Sequence, residues 1–482
     1  MSLKRNSALR LCFAVCLGLG VSVARPAELR LGMPFSDHMV IQAGAPVRVW
    51  GTATPGETIS VELAGKLGQG IANHEGKWRV DLPAFDCMPD HAPQPLIVRD
   101  GTHTLELLDV LIGEVWLCSG QSNMRFTLGR QAEPRDADAP LLFPVTLAGA
   151  HHPQIRLLNV SGGTPAGRLW GLCTPDTVRN FSAVGYHFGV ALQHARDVPV
   201  GLIDLGKGGA AIRTFISEET FYAHPAFAEN YPPERRRGFM AGSVFRDDLE
   251  PLAPFSLRGV LWYQGESDAA RASLYPELLR AMIGDWRSAL ENPDLPFLVV
   301  QLPPWERRRT DPPLATVSYR WAELRAAQDR AVRGISATYL LSIADLGERL
   351  DIHPRRKREV GERLATLARA SIYGESIPAS GPRLESIAAS PHSTTLTFAH
   401  TEGGLLAHGG ELRDFEVAGD DGSFKDATAI IISHNQIVVR HPDAMRATTL
   451  RYAWRDYYIP TLLNGDGWPA SPFQISIGSD LH

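Results

Sequence analysis

The spacing of apolar and polar residues changes along the chain, and its first part alternates with a period of two. Short alternating runs occupy residues 47–50, 59–63 and 78–82, and Gly or Pro separates them at 55–56 and 76. Alternation of this kind with regular turn residues is typical of strands that have one buried face. Residues 25–109 are therefore predicted to form a small antiparallel β-domain.

From residue 110 onward, continuous apolar runs replace the alternation and helical periods separate them. The apolar runs are residues 110–118, 198–204, 257–263, 297–302 and 338–343, and the helical periods are 181–195, 277–290, 321–332 and 357–373. Strands that are apolar on both faces and alternate with helices indicate a parallel sheet covered on both sides. Residues 110–376 are predicted to be an α/β domain.

After a stretch at 376–382 that contains Pro and Ser, the alternating pattern returns. Residues 396–398, 429–432, 437–439 and 450–454 are its clearest strands. This pattern predicts a second antiparallel β-domain over residues 377–482.

The first 24 residues have the pattern of a signal peptide. Lys4, Arg5 and Arg10 precede an apolar run at 11–21, and residues 22–24 read Ser-Val-Ala. A short apolar run between positive charges and small residues is typical of a segment that signal peptidase removes. The run is short for a membrane span, and no later stretch approaches that length. The protein is therefore expected to be exported, either to the periplasm or to the medium.

Composition and charge narrow the possible partners. The chain has 482 residues, 44% of them hydrophobic, and a formal net charge of −5. This balance gives no electrostatic reason to expect binding to nucleic acid, and no membrane insertion is expected. Cys87, Cys118 and Cys173 would remain after cleavage, which allows one disulfide at most and suggests no metal site. Cys118, inside an apolar strand, is expected to be a packed thiol.

A polar motif follows the first apolar strand of the α/β domain. Residues 119–124 read Ser-Gly-Gln-Ser-Asn-Met. A serine at the carboxyl end of a buried strand, beside backbone N–H groups, has the setting of a nucleophile with an oxyanion site. The same pattern is also typical of a serine that only caps a helix. Ser122 is the candidate nucleophile.

A histidine motif lies near the opposite end of the same domain. Residues 351–354 read Asp-Ile-His-Pro and stand between a predicted strand and a predicted helix. The alternative is a polar turn in which Asp caps the helix and Pro354 occupies its first position. The placement after a strand favours a base at the sheet edge that also carries Ser122.

Two further loops offer hydrogen-bond donors. Residues 262–268 read Trp-Tyr-Gln-Gly-Glu-Ser-Asp after a buried strand, and Gly208-Gly209 follows another. The side chain of Gln264 and a glycine N–H are suitable donors to an oxyanion, although a single Gly-Gly pair is also common in ordinary turns. Four loops at strand ends therefore supply the groups that acyl transfer needs.

The motifs at 120–124, 262–267 and 351–354 resemble the signature blocks of the sialate O-acetylesterase family, within the SGNH hydrolases, and flanking segments extend the likeness over nearly the whole mature chain. The resemblance implies an SGNH-type parallel sheet with helices on both faces. It also implies that Ser122 is the nucleophile, His353 the general base and Asp351 the acid, with Asp345 as the competing acid. The implied oxyanion donors are the N–H of Ser122, that of Gly208 or Gly209, and the Gln264 side chain. Asn123 and Glu266 are secondary candidates.

This sequence departs from the family pattern at two places. The Asp351-x-His353 spacing is one residue shorter than the usual Asp-x-x-His. Residues 207–210 read Lys-Gly-Gly-Ala where the family commonly has Trp-Gly-Gly-Thr, and Phe215 stands in place of a downstream Trp. We expect the second departure to affect which substrate is preferred more than which type of reaction is catalysed.

The expected activity is the removal of O-acetyl groups from a sugar, either sialic acid or an acetylated hemicellulose oligosaccharide such as xylan or xyloglucan. No cofactor and no metal are expected, and the acetylated sugar is the expected partner. An inactive carbohydrate-binding protein and an esterase for a different ester are the alternatives. Turnover of an aryl acetate separates an enzyme from a binding protein.

Overall fold

The computed structural model describes residues 28–133, 147–161, 168–231, 239–306, 320–442 and 445–477. The predicted signal peptide, residues 1–24, lies outside these residues.

The first part of the chain forms two small groups of antiparallel strands. Strands β1, β3 and β6 pair in that order, and β4 pairs with both β5 and β7. The antiparallel pairing predicted for this region is confirmed for these six strands, whereas β2 pairs in parallel with residues 111–113. The strands are β1 Arg30–Leu31, β2 Val40–Gln42, β3 Val47–Thr52, β4 Thr58–Leu63, β5 Lys66–Ile71, β6 Lys77–Leu82 and β7 Gln94–Arg99.

A single long strand, β8 (Thr104–Gly120), connects this region to the central sheet. Its first part pairs with β7 and its second part pairs with two strands of the central sheet. The predicted domain boundary at residues 109–110 therefore falls within a continuous strand. Asp109 has a φ of 56° at that point, which marks a local irregularity in the strand.

The central sheet contains six parallel strands and one antiparallel edge strand. Its order is β10-β9-β11-β8-β12-β13-β14, and every pair is parallel except β10 with β9. The predicted parallel strands are thereby confirmed, whereas β9 and β10 had no counterpart in the prediction. The strands are β9 His152–Asn159, β10 Trp170–Cys173, β11 Val200–Gly206, β12 Gly259–Tyr263, β13 Phe297–Val300 and β14 Thr338–Leu341.

The helices follow the predicted periods closely. Two pairs of long helices pack together, α3 with α8 and α6 with α7. The helices are α1 Leu128–Ala132, α2 Pro175–Val178, α3 Ala183–Arg196, α4 Glu218–Ala223, α5 Pro225–Asn230, α6 Tyr275–Ala289, α7 Arg320–Arg333 and α8 Lys357–Ser371. Short 3-10 helices span Leu147–Gly149, Ile212–Phe215, Glu250–Leu252 and Glu266–Leu274, and a π-helical turn spans Phe245–Leu249.

The last part of the chain is built from antiparallel strands, as predicted. They form sheets of order β15-β16-β21-β20, β17-β23 and β19-β18-β22-β24. The strands are β15 Arg383–Ser390, β16 Ser393–Ala399, β17 Leu405–Ala407, β18 Phe415–Ala418, β19 Phe424–Asp426, β20 Thr428–Ser433, β21 Gln436–Arg440, β22 Thr449–Tyr452, β23 Leu462–Asn464 and β24 Phe473–Ser476.

The core of the central sheet is formed by large side chains with no exposed surface, among them Trp116, Trp262 and Trp286. Cys118 is also fully buried and unpaired, which confirms the prediction of a packed thiol. In the part of the chain that the structure describes, none of the helices combines the length and apolarity of a bilayer span.

Strand order determines which loops meet. Strands β11, β8 and β12 are neighbours, so the loops that follow them meet at one edge of the sheet. Strand β14 lies two positions beyond β12, and 15 residues, 342–356, connect it to α8. A connection of this length is able to reach back across β13 toward the loop after β8.

Candidate active site

The loop after β8 begins with a close backbone contact that requires glycine. Gly120 has a φ of 135°, and a Cβ at this position would lie 2.1 Å from the carbonyl oxygen of Tyr263. The next N–H, that of Gln121, donates to the same carbonyl at 3.0 Å. The chain therefore leaves β8 pressed against the end of β12, and Ser122 follows two residues later.

Ser122 lies in a tight turn and is half-buried. The turn is closed by the N–H of Arg125, which donates to the carbonyl of Gln121 at 2.9 Å. In the described parts of the chain neither the Ser122 hydroxyl nor its backbone N–H forms a hydrogen bond. Both groups are therefore available to a ligand.

The Gly208-Gly209 loop lies beside this turn. The N–H of Lys207 donates to the carbonyl of Gly120 at 2.8 Å, which ties the loop after β11 to the start of the serine turn. Both glycines are exposed, and a Cβ at Gly208 would meet nothing within 4 Å. Their N–H groups have no acceptor among the described residues. The loop thus presents unused backbone donors close to Ser122.

The His353 loop is joined directly to the serine turn. The side-chain N–H₂ of Asn123 donates to the carbonyl of Ile352 at 2.9 Å. Because Asn123 follows Ser122 and Ile352 precedes His353, this bond brings together the neighbours of both candidate residues. His353 itself is half-buried.

The charges around His353 favour its neutral form. Burial lowers the pKa of His353 below its ordinary 6.5, and the positive charges of Lys357 and Arg130 lower it further. The carboxylate of Asp351 acts in the opposite direction. A neutral imidazole is the form that accepts a proton, so the environment suits a general base.

The two aspartates that compete as the acid have different contacts. Asp351 accepts a hydrogen bond from the backbone N–H of His353 at 2.9 Å. Asp345 instead forms two hydrogen bonds, of 2.7 and 2.6 Å, to the guanidinium of Arg363 on α8. The Asp351 carboxylate therefore acts on the histidine loop, whereas that of Asp345 is held by an arginine.

Gln264 lies at the end of the neighbouring loop but faces the interior. It has no exposed surface, and its side-chain nitrogen lies 2.5 Å from Asp268 Oδ2 and 3.2 Å from both Gln121 Oε1 and the Ala210 carbonyl. Its side-chain oxygen accepts from the hydroxyl of Tyr275 at 3.0 Å. In this conformation the Gln264 amide links the loops after β8, β11 and β12.

Asn123 and Lys357 are buried and form a polar cluster with the half-buried Glu266. Asn123 Nδ2 donates to Glu266 Oε1 at 2.6 Å, and the ammonium of Lys357 donates to Asn123 Oδ1. Burial raises the pKa of Glu266 and lowers that of Lys357. Lys357 was not identified from the sequence, because a lysine at the start of an amphipathic helix is usually a solvated residue.

The structure thus brings Ser122, Asn123, Gly208 and the Asp351–His353 loop to one sheet edge. It holds Asp345 in an ion pair and the Gln264 amide in the interior. A serine and a neutral histidine in joined loops, with free backbone donors beside them, have the groups that ester hydrolysis requires. These are the groups that carboxylic ester hydrolases with a serine nucleophile use.

Comparisons with known proteins identify the family. The model of the carbohydrate esterase family described as sialic acid-specific acetylesterase matches residues 112–369. The chain belongs to this family, and its activity is that of a carbohydrate or sialate O-acetylesterase. The resemblance noted in the sequence is thereby confirmed.

Individual relatives agree with this assignment. The sialate O-acetylesterase of Homo sapiens is 28% identical over 438 residues, which covers 80% of each chain. That of Mus musculus is 28% identical and covers 75% of this chain and 77% of its own. The crystal structure of a novel carbohydrate acetylesterase from Xanthomonas citri superposes with a TM-score of 0.80 at 32% identity, and the match covers 94% of this chain and 100% of that one.

Proposed function

We propose that this protein is an exported serine esterase that removes O-acetyl groups from carbohydrates, with Ser122 as nucleophile and His353 as general base. The hydrogen bond from Asn123 to the Ile352 carbonyl, 2.9 Å long, is the observation that carries the proposal. It joins the residue after Ser122 to the residue before His353, and a nucleophile and its base need this proximity. In ligand-free enzymes the bond between them is often long and shortens when substrate binds.

The proposed reaction has two steps. In the first, His353 takes the hydroxyl proton of Ser122 while the oxygen attacks the acetyl carbonyl. The tetrahedral intermediate then collapses, the sugar oxygen leaves with the proton from His353, and an acetyl–enzyme remains. In the second step His353 takes a proton from water while the water oxygen attacks the acetyl carbonyl. The tetrahedral intermediate then collapses, Ser122 Oγ leaves with the proton from His353, and acetate is released.

Asp351 is the acid that we propose for this reaction. Its carboxylate accepts the backbone N–H of His353, which fixes the loop, and its charge stabilises the imidazolium that forms during attack. Asp345 is the less suitable of the two, since its carboxylate is neutralised by Arg363.

The main oxyanion donors that we propose are backbone N–H groups. The N–H of Ser122 and that of Gly208 or Gly209 have no acceptor among the described residues and border the same turn. Gln264 stays a predicted donor, and it would have to exchange one of its three protein acceptors for the oxyanion.

Export and substrate class complete the proposal. The charged, apolar and small residues of positions 1–24 support removal of a signal peptide and release to the periplasm or the medium. An O-acetylated sialic acid and an acetylated hemicellulose oligosaccharide are the substrates that we propose. Acetate release from acetylated sialosides, xylan and xyloglucan oligosaccharides distinguishes between them.

The replacement Ser122→Ala tests the mechanism. We expect the variant to fold normally and to lose acetate release from an aryl acetate almost completely, because no other group takes over the acetyl transfer. Ser119→Ala is the matched control, since that hydroxyl is buried and only donates to the Leu205 carbonyl at 3.3 Å. Turnover in Ser122→Ala comparable to that of Ser119→Ala would rule out the proposed nucleophile.

A further inference from the structure

Lys357 is buried to an extent that is rare for lysine. Its side chain is 1% exposed, and its ammonium lies 5.2 Å from the ring centroids of both Phe126 and Tyr263. Moving an ammonium out of water costs several kcal/mol unless partners compensate. A methionine or leucine would fill the same space without that cost. We therefore expect the positive charge of Lys357 to have a function of its own.

The charge of Lys357 fixes the orientation of Asn123. The Asn123 side-chain oxygen accepts from the ammonium, and its N–H₂ group donates to Glu266 and to the carbonyl of Ile352. A flipped amide would place N–H₂ against the ammonium and an oxygen against the Glu266 carboxylate. Since both contacts would then be repulsive, only one orientation is stable, and it is the one that reaches Ile352.

This fixed amide lies between the two halves of the proposed active site. Asn123 is adjacent to Ser122, Ile352 is adjacent to His353, and Lys357 occupies the first turn of α8, four residues after His353. A rotation of the Asn123 amide would remove the bond between the two loops and allow Ser122 and His353 to separate.

We propose that Lys357 is a positioning residue for the acetyl transfer, which through Asn123 holds the Ser122 turn against the His353 loop. This inference rests on the proposed function, since it assigns Lys357 a part in the Ser122–His353 chemistry. Lys357 does not touch the reacting atoms; it determines how far apart they lie. A displacement of about 1 Å between reacting groups costs on the order of 10²-fold in rate.

The same ammonium also acts on His353 electrostatically. The charged groups that act on the imidazole are Lys357 on α8, Arg130 on α1 and Asp351 on its own loop. Burial and the charge of Arg130 lower the pKa of Lys357, whereas Glu266, Asp351 and Glu348 favour its charged form. Removing the ammonium eliminates one of the two cations that lower the pKa of His353, so the pKa rises.

The test compares Lys357→Met with Arg358→Met. Both replacements remove one positive charge from the first turn of α8, but Arg358 is exposed and Lys357 is buried. For Lys357→Met we expect kcat on an aryl acetate to fall by about 10²-fold with KM nearly unchanged. We also expect the acidic limb of its pH profile to move to higher pH, because one of the cations that lower the pKa of His353 is gone. Arg358→Met should match the wild type in both.

Arg130→Gln separates the two effects. It removes the other cation that acts on His353 and leaves the Asn123 contacts in place. The acidic limb should move up while kcat at its pH plateau stays within about twofold of wild type. A purely electrostatic role for Lys357 would give both variants the same behaviour, and that result would overturn the positioning proposal.

A second variant covers the case in which Lys357→Met fails to fold. Glu266→Gln/Lys357→Met removes both charges that contact Asn123 and keeps an oxygen that accepts from Asn123. We expect a folded protein with the same low kcat. Wild-type kcat in either folded variant would overturn the proposal. If Ser122→Ala is inactive in the same assay, wild-type kcat in the Lys357 variants would overturn only the role of Lys357. The proposed nucleophile would then be unaffected.

Discussion

At the scale of single residues, His353 accepts a proton only while its ring is neutral. Burial and the charges of Lys357 and Arg130 lower its pKa below 6.5. Activity is lost as the pH falls through this pKa, so the acidic half-point of kcat/KM should lie below pH 6.5. The measurement is kcat/KM for an aryl acetate between pH 4 and 8. A half-point above pH 6.5 would contradict the lowered pKa of His353.

Gln264 gives a second prediction at this scale. If its amide exchanges a protein acceptor for the oxyanion, Gln264→Ala should lower kcat by ~10²–10³-fold. The variant also loses the bonds to Gln121 and Asp268, so its free energy of unfolding should fall as well. The value of kcat and the free energy of unfolding in denaturant are measured on the same preparation. A less stable variant with unchanged kcat would show that Gln264 only supports the loops.

Sequence reasoning proposed site residues whose chemistry depends on their type and on their place after a strand. Ser122 and His353 are of this kind, and the structure brings their loops together through Asn123 and Ile352. The role of Lys357 depends on its burial, which helical spacing at the start of α8 does not reveal. The proposal of Asp351 over Asp345 likewise needed the position of Arg363, which lies 18 residues after Asp345.

At the scale of elements, Gly120 determines how β8 ends against β12. Its φ of 135° and the 2.1 Å approach to the Tyr263 carbonyl leave no room for a side chain. Gly120→Ala should therefore lower the free energy of unfolding by more than about 3 kcal/mol, or prevent folding. Urea unfolding followed by circular dichroism measures this change.

Gly208→Ala is the matched control for this prediction. A Cβ at Gly208 meets no atom within 4 Å, so the stability should stay within about 0.5 kcal/mol of wild type. Equal stability losses in the two variants would show that the close contact at Gly120 is not the cause.

The strands that the sequence predicted best are apolar at nearly every position, and such runs have few alternative structures. Strands β11, β12 and β13 are buried throughout, whereas β14 is half-buried at Tyr339 and Leu340. Strand β5 was missed because it reads Lys-Leu-Gly-Gln-Gly-Ile, and glycine in alternate positions removes the apolar period. The length of β8 was missed because its first half is polar on alternate positions and its second half is wholly buried.

At the scale of the whole molecule, stability should depend on pH partly through His187. This histidine lies on α3, its Nε2 is 3.0 Å from Gln131 Oε1, and burial lowers its pKa to about 3. The unfolded state therefore binds a proton below pH 6.5 that the folded state takes up only near pH 3. The free energy of unfolding falls as the pH falls through this window, by about 1.4 kcal/mol per pH unit from this group.

His187→Gln should remove that contribution. Unfolding measured between pH 4 and 7 should show a shallower decrease toward acid than in the wild type. His194→Gln, an exposed position on the same helix, is the control and should leave the slope unchanged. Identical slopes in all three proteins would contradict the buried neutral state of His187.

The division of the chain into regions was also predictable in outline. The change from alternating to continuous apolar runs matches the change from antiparallel to parallel pairing. The sequence could not reveal that β8 belongs to both regions, because pairing across a boundary depends on partners that are distant in the chain. The first two regions of the molecule are joined by a strand, not by a flexible linker.

The measurement that tests the central claim most directly is covalent labelling of the nucleophile. A fluorophosphonate phosphonylates an activated serine, and peptide mass spectrometry identifies the residue that carries it. We expect one label per chain, on Ser122, with loss of acetate release in proportion to labelling and no label on Ser122→Ala. Complete inactivation with the label on another residue, or equal labelling of Ser122→Ala, would contradict the account.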